Sequence, residues 1–203
     1  MSIVKVSSLP TVAQQLKSRG VPSPARVWEV VSVWRGDITH LEVDAIVNAA
    51  KNSLMGGGGV DGAIHAAAGP ELVQACRQIK GGCPTGEVRI TPGFRLPARQ
   101  VIHTVGPVGE KPSLLKSCYE KCFASMTMVD GDSPRGIRTI AFPCISTGVY
   151  GYPARKAAEL VIPTTKAWLE QDDHLAQVDR IIFCVFSESD YNLYQETIAQ
   201  HAE

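Results

Sequence analysis

Residues 55–69, MGGGGVDGAIHAAAG, join four consecutive glycines directly to a segment with helical spacing. Glycine loses more backbone entropy on folding than any other residue, but a glycine run lets the main chain approach a ligand closely. The N–H groups that begin the following helix favour an anion such as phosphate. A surface loop is the alternative for glycines alone. Because a helix follows at once, the stretch predicts an anion-binding loop formed by the amides of Gly58, Gly59 and Val60.

The segments around this loop alternate between strand and helix patterns. Strands are predicted at 27–34, 43–50, 87–91, 100–105, 137–143 and 180–186, and helices at 60–80, 113–129, 153–170 and 189–201, with a polar loop at 130–136. This alternation predicts one α/β domain with a largely parallel sheet. Ligand loops in such sheets follow the carboxyl ends of the strands.

Composition and charge exclude several classes of protein. The 203 residues are 44% hydrophobic and 20% charged, which is typical of one globular domain and excludes a disordered or fibrous chain. The strongest short apolar run, 181–186, is far too short to span a membrane. Twenty basic and twenty acidic residues cancel, so the broad positive field of a nucleic-acid-binding protein is missing. An anionic ligand must therefore be met by local groups.

The six cysteines form no C-x-x-C pair and have no matching histidine cluster. Most lie among apolar neighbours, which predicts buried, reduced thiols in an intracellular protein. We therefore expect neither a zinc site nor a disulfide framework, and no cofactor.

The first 26 residues differ from the rest of the chain. No acidic residue occurs before Glu29, whereas Lys5, Lys17, Arg19 and Arg26 are basic, a composition typical of a mitochondrial transit peptide. The alternative is a peripheral segment with one short helix near 11–18. We predict an N-terminal extension over 1–26 and a domain over 27–203, in the cytoplasm or nucleus, with the mitochondrion as the alternative.

A second glycine-containing loop, CISTGVYGYP at 144–153, follows the predicted strand 137–143. Ser146, Thr147 and Gly148 could donate hydrogen bonds to a second phosphate, and Val149 and Tyr150 could flank a sugar. An ordinary strand-to-helix turn would also explain this loop. Two glycine-containing turns at strand ends of one small domain favour the ligand-binding interpretation.

Two further strand ends carry candidate ligand contacts. Asp37 lies in RGDIT, 35–39, where its carboxylate could accept a hydrogen bond from an exocyclic amine or simply form an Asx-turn. Phe186 ends the last predicted strand, where an aromatic ring could stack on a base.

The catalytic candidates are Asp61 and His65, which share one helix face four residues apart. Beside an anion-binding loop they could position a water molecule for hydrolysis, although such a pair also occurs for structural reasons. A dinucleotide-binding G-x-G-x-x-G loop is a weak alternative, because Gly57, Gly59 and Gly62 follow the strand too late. No acidic residue lies about 20 positions further on.

Together, and in this order, RGDIT, VDAIVNAA, GGGGVDGAIH, CPTGEVRIT, LPARQVIHTVGP and AFPCISTGVYGYP resemble the macrodomain family from about residue 27 to the C-terminus. The likeness is greatest to the MacroD-type branch of ADP-ribosyl hydrolases and O-acetyl-ADP-ribose deacetylases. It implies a three-layer α/β/α sandwich around a mixed, mainly parallel sheet. It also implies a monomer that binds ADP-ribose, ADP-ribosylated proteins or O-acetyl-ADP-ribose and hydrolyses esters at the distal ribose without a metal.

The resemblance assigns roles to individual positions. Asp37 and Ile38 would bind the adenine, with Phe186 stacked nearby, and Asn48 would lie near the distal ribose. The diphosphate would lie between two sets of loop residues: Gly58, Gly59 and Val60 on one side, and Ser146, Thr147, Gly148, Val149 and Tyr150 on the other. Asp61 would orient or activate the water molecule, supported by His65.

One position departs from the family pattern. The strand-end motif Asn-Ala-Ala-Asn of active members reads Asn48, Ala49, Ala50, Lys51 here. An ammonium group cannot accept a hydrogen bond, although it can pair with phosphate or with Asp61. Two functions therefore remain open, an ADP-ribosyl ester hydrolase with reduced activity and a non-catalytic reader of ADP-ribose.

Overall fold

The computed structural model describes residues 2–128, 136–171 and 173–202, and its centre is a six-stranded sheet. These residues form eight strands, which are β1 (Val4–Lys5), β2 (Val31–Arg35), β3 (Leu41–Glu42), β4 (Ala45–Ala49), β5 (Val88–Pro92), β6 (Gln100–Thr104), β7 (Thr139–Phe142) and β8 (Arg180–Val185). The sheet has the order β2-β8-β7-β4-β6-β5, and β1 pairs separately with β3. All neighbours in the large sheet are parallel except β5 and β6.

Seven α-helices accompany these strands in the described part of the chain. They are α1 (Val12–Ser18), α2 (Gly59–Ala68), α3 (Pro70–Gln78), α4 (Pro112–Thr127), α5 (Ala154–Leu169), α6 (His174–Gln177) and α7 (Glu188–Ala199). Short 3-10 helices cover Val6–Ser8, Arg26–Glu29 and Ile38–His40. Within the described ranges, no helix combines the length and the apolar character needed to cross a bilayer.

Side chains alternate between the two faces of the sheet, as the period of two in a strand requires. On β4, Ala45 and Val47 pack with α1, α4, α5 and α7, whereas Ile46 packs with α2 and α3. On β8, Phe183 packs on the same face as Ala45 and Val47, and Ile182 packs on the same face as Ile46. The predicted three-layer α/β/α architecture with a mixed, mainly parallel sheet is therefore confirmed.

The carboxyl ends of the five parallel strands meet at one edge of the sheet. In the sheet, β6 lies on one side of β4 and β7 lies on the other. The connections of the chain therefore run in opposite directions on the two sides of β4. Such a switch point opens a crevice for ligands between neighbouring strand ends. The glycine loop follows β4 and the loop at 144–153 follows β7, so the two loops border this crevice.

Two predicted elements are wrong in their extent. The strand at 27–34 begins only at Val31, because Arg26–Glu29 forms a 3-10 helix that buries Trp28 and lets its indole N–H donate to the carbonyl of His201. The helix at 60–80 is two helices, because Gly69 adopts φ +85° before Pro70, and a residue before proline is disfavoured in the α conformation. The predicted loop at 130–136 lies, except for Gly136, outside the described residues.

The N-terminal segment packs onto the core of the domain. Thr11 caps α1 in a reciprocal capping box with Gln14, and Val12 and Leu16 are buried in the larger hydrophobic cluster. The β1–β3 pairing adds a second attachment. The predicted boundary at residue 27 stays a prediction, although side chains before it contribute to the core.

We expect Leu16→Ala to lower the free energy of unfolding by about 2–5 kcal/mol, because it leaves a cavity where a buried leucine was. Urea denaturation followed by circular dichroism measures this change. The exposed neighbour Lys17→Ala serves as control and should change the stability by less than about 0.5 kcal/mol. Equal effects of the two variants would show that α1 is not part of the cooperative core.

Candidate functional site

A buried carboxylate lies directly after the glycine loop. Asp61 is in the first turn of α2 and is 3% exposed. Its Oδ1 accepts a hydrogen bond of 2.8 Å from Nδ2 of Asn48, which is fully buried near the end of β4. Within the described residues, neither Asp61 Oδ2 nor Asn48 Oδ1 has a hydrogen-bond partner. Since buried polar atoms are almost always satisfied, these two acceptors indicate a place for a ligand or water molecule.

His65 lies one helical turn beyond Asp61, on the same face of α2. Its Nε2 is 3.5 Å from Asp61 Oδ1 but, among the described residues, has no hydrogen-bond partner. The structure thus brings Asp61, His65 and Asn48 together, and leaves one buried polar atom of each side chain available.

A second histidine supports Asn48 from inside the domain. His103 on β6 is fully buried, and its Nδ1 lies 3.1 Å from Asn48 Nδ2. Its Nε2 lies 2.9 Å from the hydroxyl oxygen of Thr91 on β5. Burial, and to a lesser extent the nearby charge of His65, lower the pKa of His103 to about 4. His103 is therefore a neutral imidazole at physiological pH.

His65, Cys76 and His103 place one potential metal-ligand atom each within 4.8 Å of one another. Two features disfavour a metal ion here. Both ring nitrogens of His103 are already engaged by Asn48 and Thr91, and burial raises the pKa of the Cys76 thiol to about 11. The six cysteines lie in the described residues and are unpaired, and five are buried, as predicted.

The neutral His103 gives the stability of the protein a pH dependence of known sign. An unfolded histidine titrates near pH 6.5, so below that pH the unfolded chain binds a proton that the folded chain excludes down to about pH 4. We expect the free energy of unfolding to fall by up to about 3 kcal/mol between pH 6.5 and 4, with no contribution at higher pH.

The groups that face His103 are His65, Cys76 and, beyond Asn48, Asp61. Urea denaturation at several pH values, compared between the wild type and His103→Asn, isolates the contribution of His103. The variant should lose less stability on acidification. Parallel pH profiles would contradict the buried, neutral state of His103.

A side chain would meet close neighbours at Gly57 and Gly62, whereas Gly58 and Gly59 have open space around them. A methyl group at Gly57 would lie 2.6 Å from Cε and 2.9 Å from Nζ of Lys51, and 3.1 Å from Asp61 Oδ2. At Gly62 it would lie 2.5 Å from the carbonyl oxygen of Gly57. Gly58 caps α2 without a side chain, and Gly58 and Gly59 are exposed. The amides of the first helical turn, including that of Val60, have no partner within the helix and can donate to a ligand.

Lys51 reaches across this loop towards the buried carboxylate. Its ammonium and Asp61 Oδ2 approach the same point beside Gly57. Among the ion pairs of the described ranges, none joins the two side chains. Lys51 is exposed, so its charge lies at the mouth of the crevice rather than inside it.

The loop after β7 contains one strained, buried residue. Ser146 has φ +66°, an uncommon conformation for a residue with a side chain, and within the described residues its buried hydroxyl has no partner. A methyl group at Gly106 would lie 2.1 Å from that hydroxyl oxygen. Strain with an unsatisfied hydroxyl indicates a ligand contact.

The remainder of the same loop extends into solvent. Thr147 and Tyr150 are half-buried, Gly148 is exposed, and Val149 is fully exposed at the tip. The carbonyl of Tyr150 accepts a hydrogen bond from the amide of Gly109, which fixes the base of the loop.

Asp37 and Phe186 form a second group, at the ends of the neighbouring strands β2 and β8. The amide of Gly36 donates to the carbonyl of Val185, which holds the two strand ends together. Asp37 Oδ1 accepts from the amide and the hydroxyl of Thr39, as in the Asx-turn alternative, and Oδ2 faces His40 at 3.9 Å.

Around Asp37 the two predicted neighbours differ in exposure. Ile38 is buried, whereas Phe186 is 88% exposed. An aromatic ring this exposed beside a carboxylate suits the stacking of a flat, polar ring.

Sequence reasoning missed His103, Thr91 and Cys76. His103 interrupts the apolar run of β6, and by the period of two it shares a face with Val101, towards α2 and α3. A histidine at a core position of a strand is the signal that could have identified it. Its pairing with Asn48 depends on the parallel register of β4 and β6, which aligns the two residues.

The comparisons with known proteins agree with this geometry. A family model described as "Macro domain" matches residues 47–161. The "ADP-ribose glycohydrolase MACROD1" of Rattus norvegicus is 51% identical over 179 residues, covering 85% of this chain and 66% of the relative. The chain spans less than two thirds of that relative, and 48% of a Xenopus laevis "ADP-ribose glycohydrolase MACROD2" that is 46% identical over 96% of this chain.

Other relatives match over more of their own length. A "Macro domain-containing protein" of Ralstonia nicotianae is 51% identical over 81% of this chain and 91% of its own. The Trypanosoma brucei macrodomain solved in complex with ADP-ribose has a TM-score of 0.85 and 40% identity, over 98% of this chain and 78% of that one. On the family model, these identities and this fold, the chain belongs to the macrodomain family.

Proposed function

We propose that the protein binds ADP-ribose and hydrolyses the ester bond at its distal ribose, in mono-ADP-ribosylated Asp or Glu side chains or in O-acetyl-ADP-ribose. The observation that carries this proposal is the buried carboxylate of Asp61, with Oδ2 free beside the glycine loop. The names of the rat and Xenopus relatives and the ADP-ribose bound by the trypanosome macrodomain support it.

The spacing of the strand ends fits a ligand with a base at one end and a sugar at the other. Asp37 follows β2 and Asn48 lies near the end of β4, and these two strands are three positions apart in the sheet. At about 4.8 Å per strand this gives roughly 14 Å between the two groups. The loop after β7 follows a strand that lies between β2 and β4, and the glycine loop follows β4. We propose that the diphosphate binds to the amides of Gly58, Gly59 and Val60 and to the loop after β7.

The reaction requires a water molecule that is oriented towards the ester. Asp61 Oδ2 can accept a hydrogen bond from this water, while an oxygen of the ligand's own phosphate accepts the second. The water oxygen bonds to the carbon from which the ester oxygen departs, and the departing oxygen takes up the proton that the water loses, giving ADP-ribose and a free carboxylic acid. Asn48 holds Asp61 through Oδ1, so Oδ2 remains directed to the crevice. No metal is required in this scheme.

A groove of about 440 Å³ beside His65 leaves room for the group released from the distal ribose. It is lined by Met55, Ala66, Gly69, Pro70, Val73 and Arg95 as well as His65. Arg95 at this groove pairs with Glu71 at 3.0 Å, so its charge is already compensated within the protein. We propose ADP-ribosylated proteins as the partners and a monomer as the form that binds them.

Calorimetric titration with ADP-ribose, followed on the same sample by a de-ADP-ribosylation time course, tests the proposal. Micromolar binding together with release of ADP-ribose from an acidic-residue substrate is expected. Binding without turnover over hours would favour the alternative function, a non-catalytic reader of ADP-ribose, for which the specific observation is Lys51 at the mouth of the crevice. Absence of binding would contradict both functions.

Asp37→Ala is expected to weaken ADP-ribose binding by about 1–3 kcal/mol, the usual effect of removing one partner of a hydrogen bond that the bound ligand would shield from water. Calorimetry measures this change. Asp37→Asn is the matched control for the turn, because its side-chain oxygen still accepts from Thr39. Unchanged affinity in Asp37→Ala would place the adenine elsewhere.

We also propose that the protein acts in the cytoplasm or nucleus. The burial of Val12 and Leu16 favours retention of the N-terminal segment in the folded protein, in contrast to a cleaved transit peptide. Microscopy of a C-terminally tagged protein, with mass determination of its N-terminus, tests this. Mitochondrial fluorescence with loss of the segment would support the alternative.

A further inference from the structure

We propose that His103 is a positioning residue: a neutral imidazole, protonated on Nε2, whose Nδ1 fixes the side-chain amide of Asn48 and thereby directs Asp61 towards the crevice. The inference rests on the proposed function in taking Asp61 as the group that orients water. Its geometric basis is a hydrogen-bonded chain through the interior, from Thr91 on β5 through His103 on β6 and Asn48 near the end of β4 to Asp61 on α2.

The direction of each hydrogen bond in this chain follows from its end at Asp61. An ionised carboxylate only accepts, so Asn48 must present Nδ2, and not Oδ1, to Asp61 Oδ1. The same Nδ2 lies 3.1 Å from His103 Nδ1, which must then carry a lone pair. A neutral imidazole has one N–H, so it lies on Nε2 and donates to the hydroxyl of Thr91 at 2.9 Å.

The amide of Asn48 has two possible orientations, and Asp61 and His103 together select one of them. In the observed one, both N–H groups are used and Oδ1 remains free towards the crevice. In the flipped one, two acceptors would face each other at Asp61, and again at His103 Nδ1. Asp61 alone already opposes the flip, and His103 adds a second, buried acceptor that leaves Asn48 no freedom to rotate.

The surroundings of His103 hold the ring in place. It is fully buried, Cys76 Sγ approaches Nε2 at 3.8 Å, and the His65 ring centroid is 6.3 Å away. The charged and titratable groups around it are thus His65, Cys76 and, through Asn48, Asp61. Thr91 is buried as well, so its hydroxyl has no access to competing water.

Two variants separate positioning from packing. His103→Leu fills the site but removes the acceptor for Asn48, and we expect kcat to fall about tenfold or more with KM and the ADP-ribose Kd within about threefold. His103→Asn offers an amide oxygen near the place of Nδ1 and should restore kcat to within about threefold of the wild type. A purely structural role would instead lower the melting temperature of both variants without this difference in kcat.

The tautomer provides a test without any variant. Long-range ¹H–¹⁵N correlation spectra of the wild type at pH 7 should show His103 with the proton on Nε2 and an unprotonated Nδ1. An Nδ1–H tautomer, or a kcat of folded His103→Leu within twofold of the wild type, would overturn the proposal. If the wild type binds ADP-ribose but has no turnover, the proposed hydrolysis fails, and the tautomer alone decides the arrangement of His103 and Asn48.

Discussion

Asp61→Asn is expected to lower kcat by about 10²–10³-fold while the affinity for ADP-ribose changes by less than about threefold. Replacing the carboxylate by an amide removes the acceptor that orients water, and the loss of one such preorganised group typically costs about 3–4 kcal/mol of transition-state stabilisation. The shape of the side chain is kept, so the packing of α2 against β4 should survive. Single-turnover release of ADP-ribose and calorimetry measure the two quantities.

The new side-chain amide of Asp61→Asn also affects the hydrogen bonds that this side chain makes. Its side-chain oxygen can still accept from Asn48 Nδ2, and the new NH₂ then replaces Oδ2 towards the crevice. The exposed Asp173→Asn is a matched control for the same change of charge and should leave kcat unaltered. If Asp61→Asn kept wild-type turnover, the carboxylate would not be the group that orients water, and the proposed mechanism would be wrong.

The second large effect is expected for Lys51→Asn, which should raise kcat by about tenfold or more. Lys51 stands where active members of the family are expected to carry asparagine, and its ammonium can donate but not accept a hydrogen bond. Nζ and Asp61 Oδ2 approach the same point beside Gly57, so the cation competes with water for the carboxylate. The shorter, neutral asparagine removes this competition and restores an amide next to the distal ribose.

The readout separates turnover from binding. ADP-ribose affinity can fall modestly in Lys51→Asn, because one cation near the diphosphate is lost, while kcat rises. Lys80→Asn makes the same change at an exposed position after α3 and should alter neither quantity. A Lys51→Asn variant with unchanged kcat would remove Lys51 as a reason to expect reduced activity and as the motive for the reader alternative.

Much of the architecture could be predicted from local patterns. The strand at 100–105 and the helices at 113–129 and 153–170 were predicted within a few residues, because their apolar spacing matches the faces that they bury. The glycine loop and the loop at 144–153 were predicted because glycine and proline mark turns by their backbone conformation. Which strands are neighbours was not predictable, since pairing depends on contacts distant in sequence.

Local propensity failed where tertiary contacts or a single backbone angle decided the outcome. Val27 and Trp28 have side chains typical of strands, yet Arg26–Glu29 forms a 3-10 helix, in which the buried indole of Trp28 donates to the carbonyl of His201, far away in the sequence. The helix at 60–80 breaks at Gly69, whose positive φ costs glycine nothing and lets α3 turn away before Pro70.

By itself, the sequence determined the chemistry that is available: a carboxylate and a histidine on one helix face, amides freed by glycines, and loops at the ends of parallel strands. These are local properties of residue types and spacing. Only the tertiary structure decided that Asn48 meets Asp61 and His103, because strand register and burial set those contacts. Because water is excluded there, each buried polar atom without a hydrogen-bond partner costs free energy. These atoms define a site that cannot be identified from residue spacing alone.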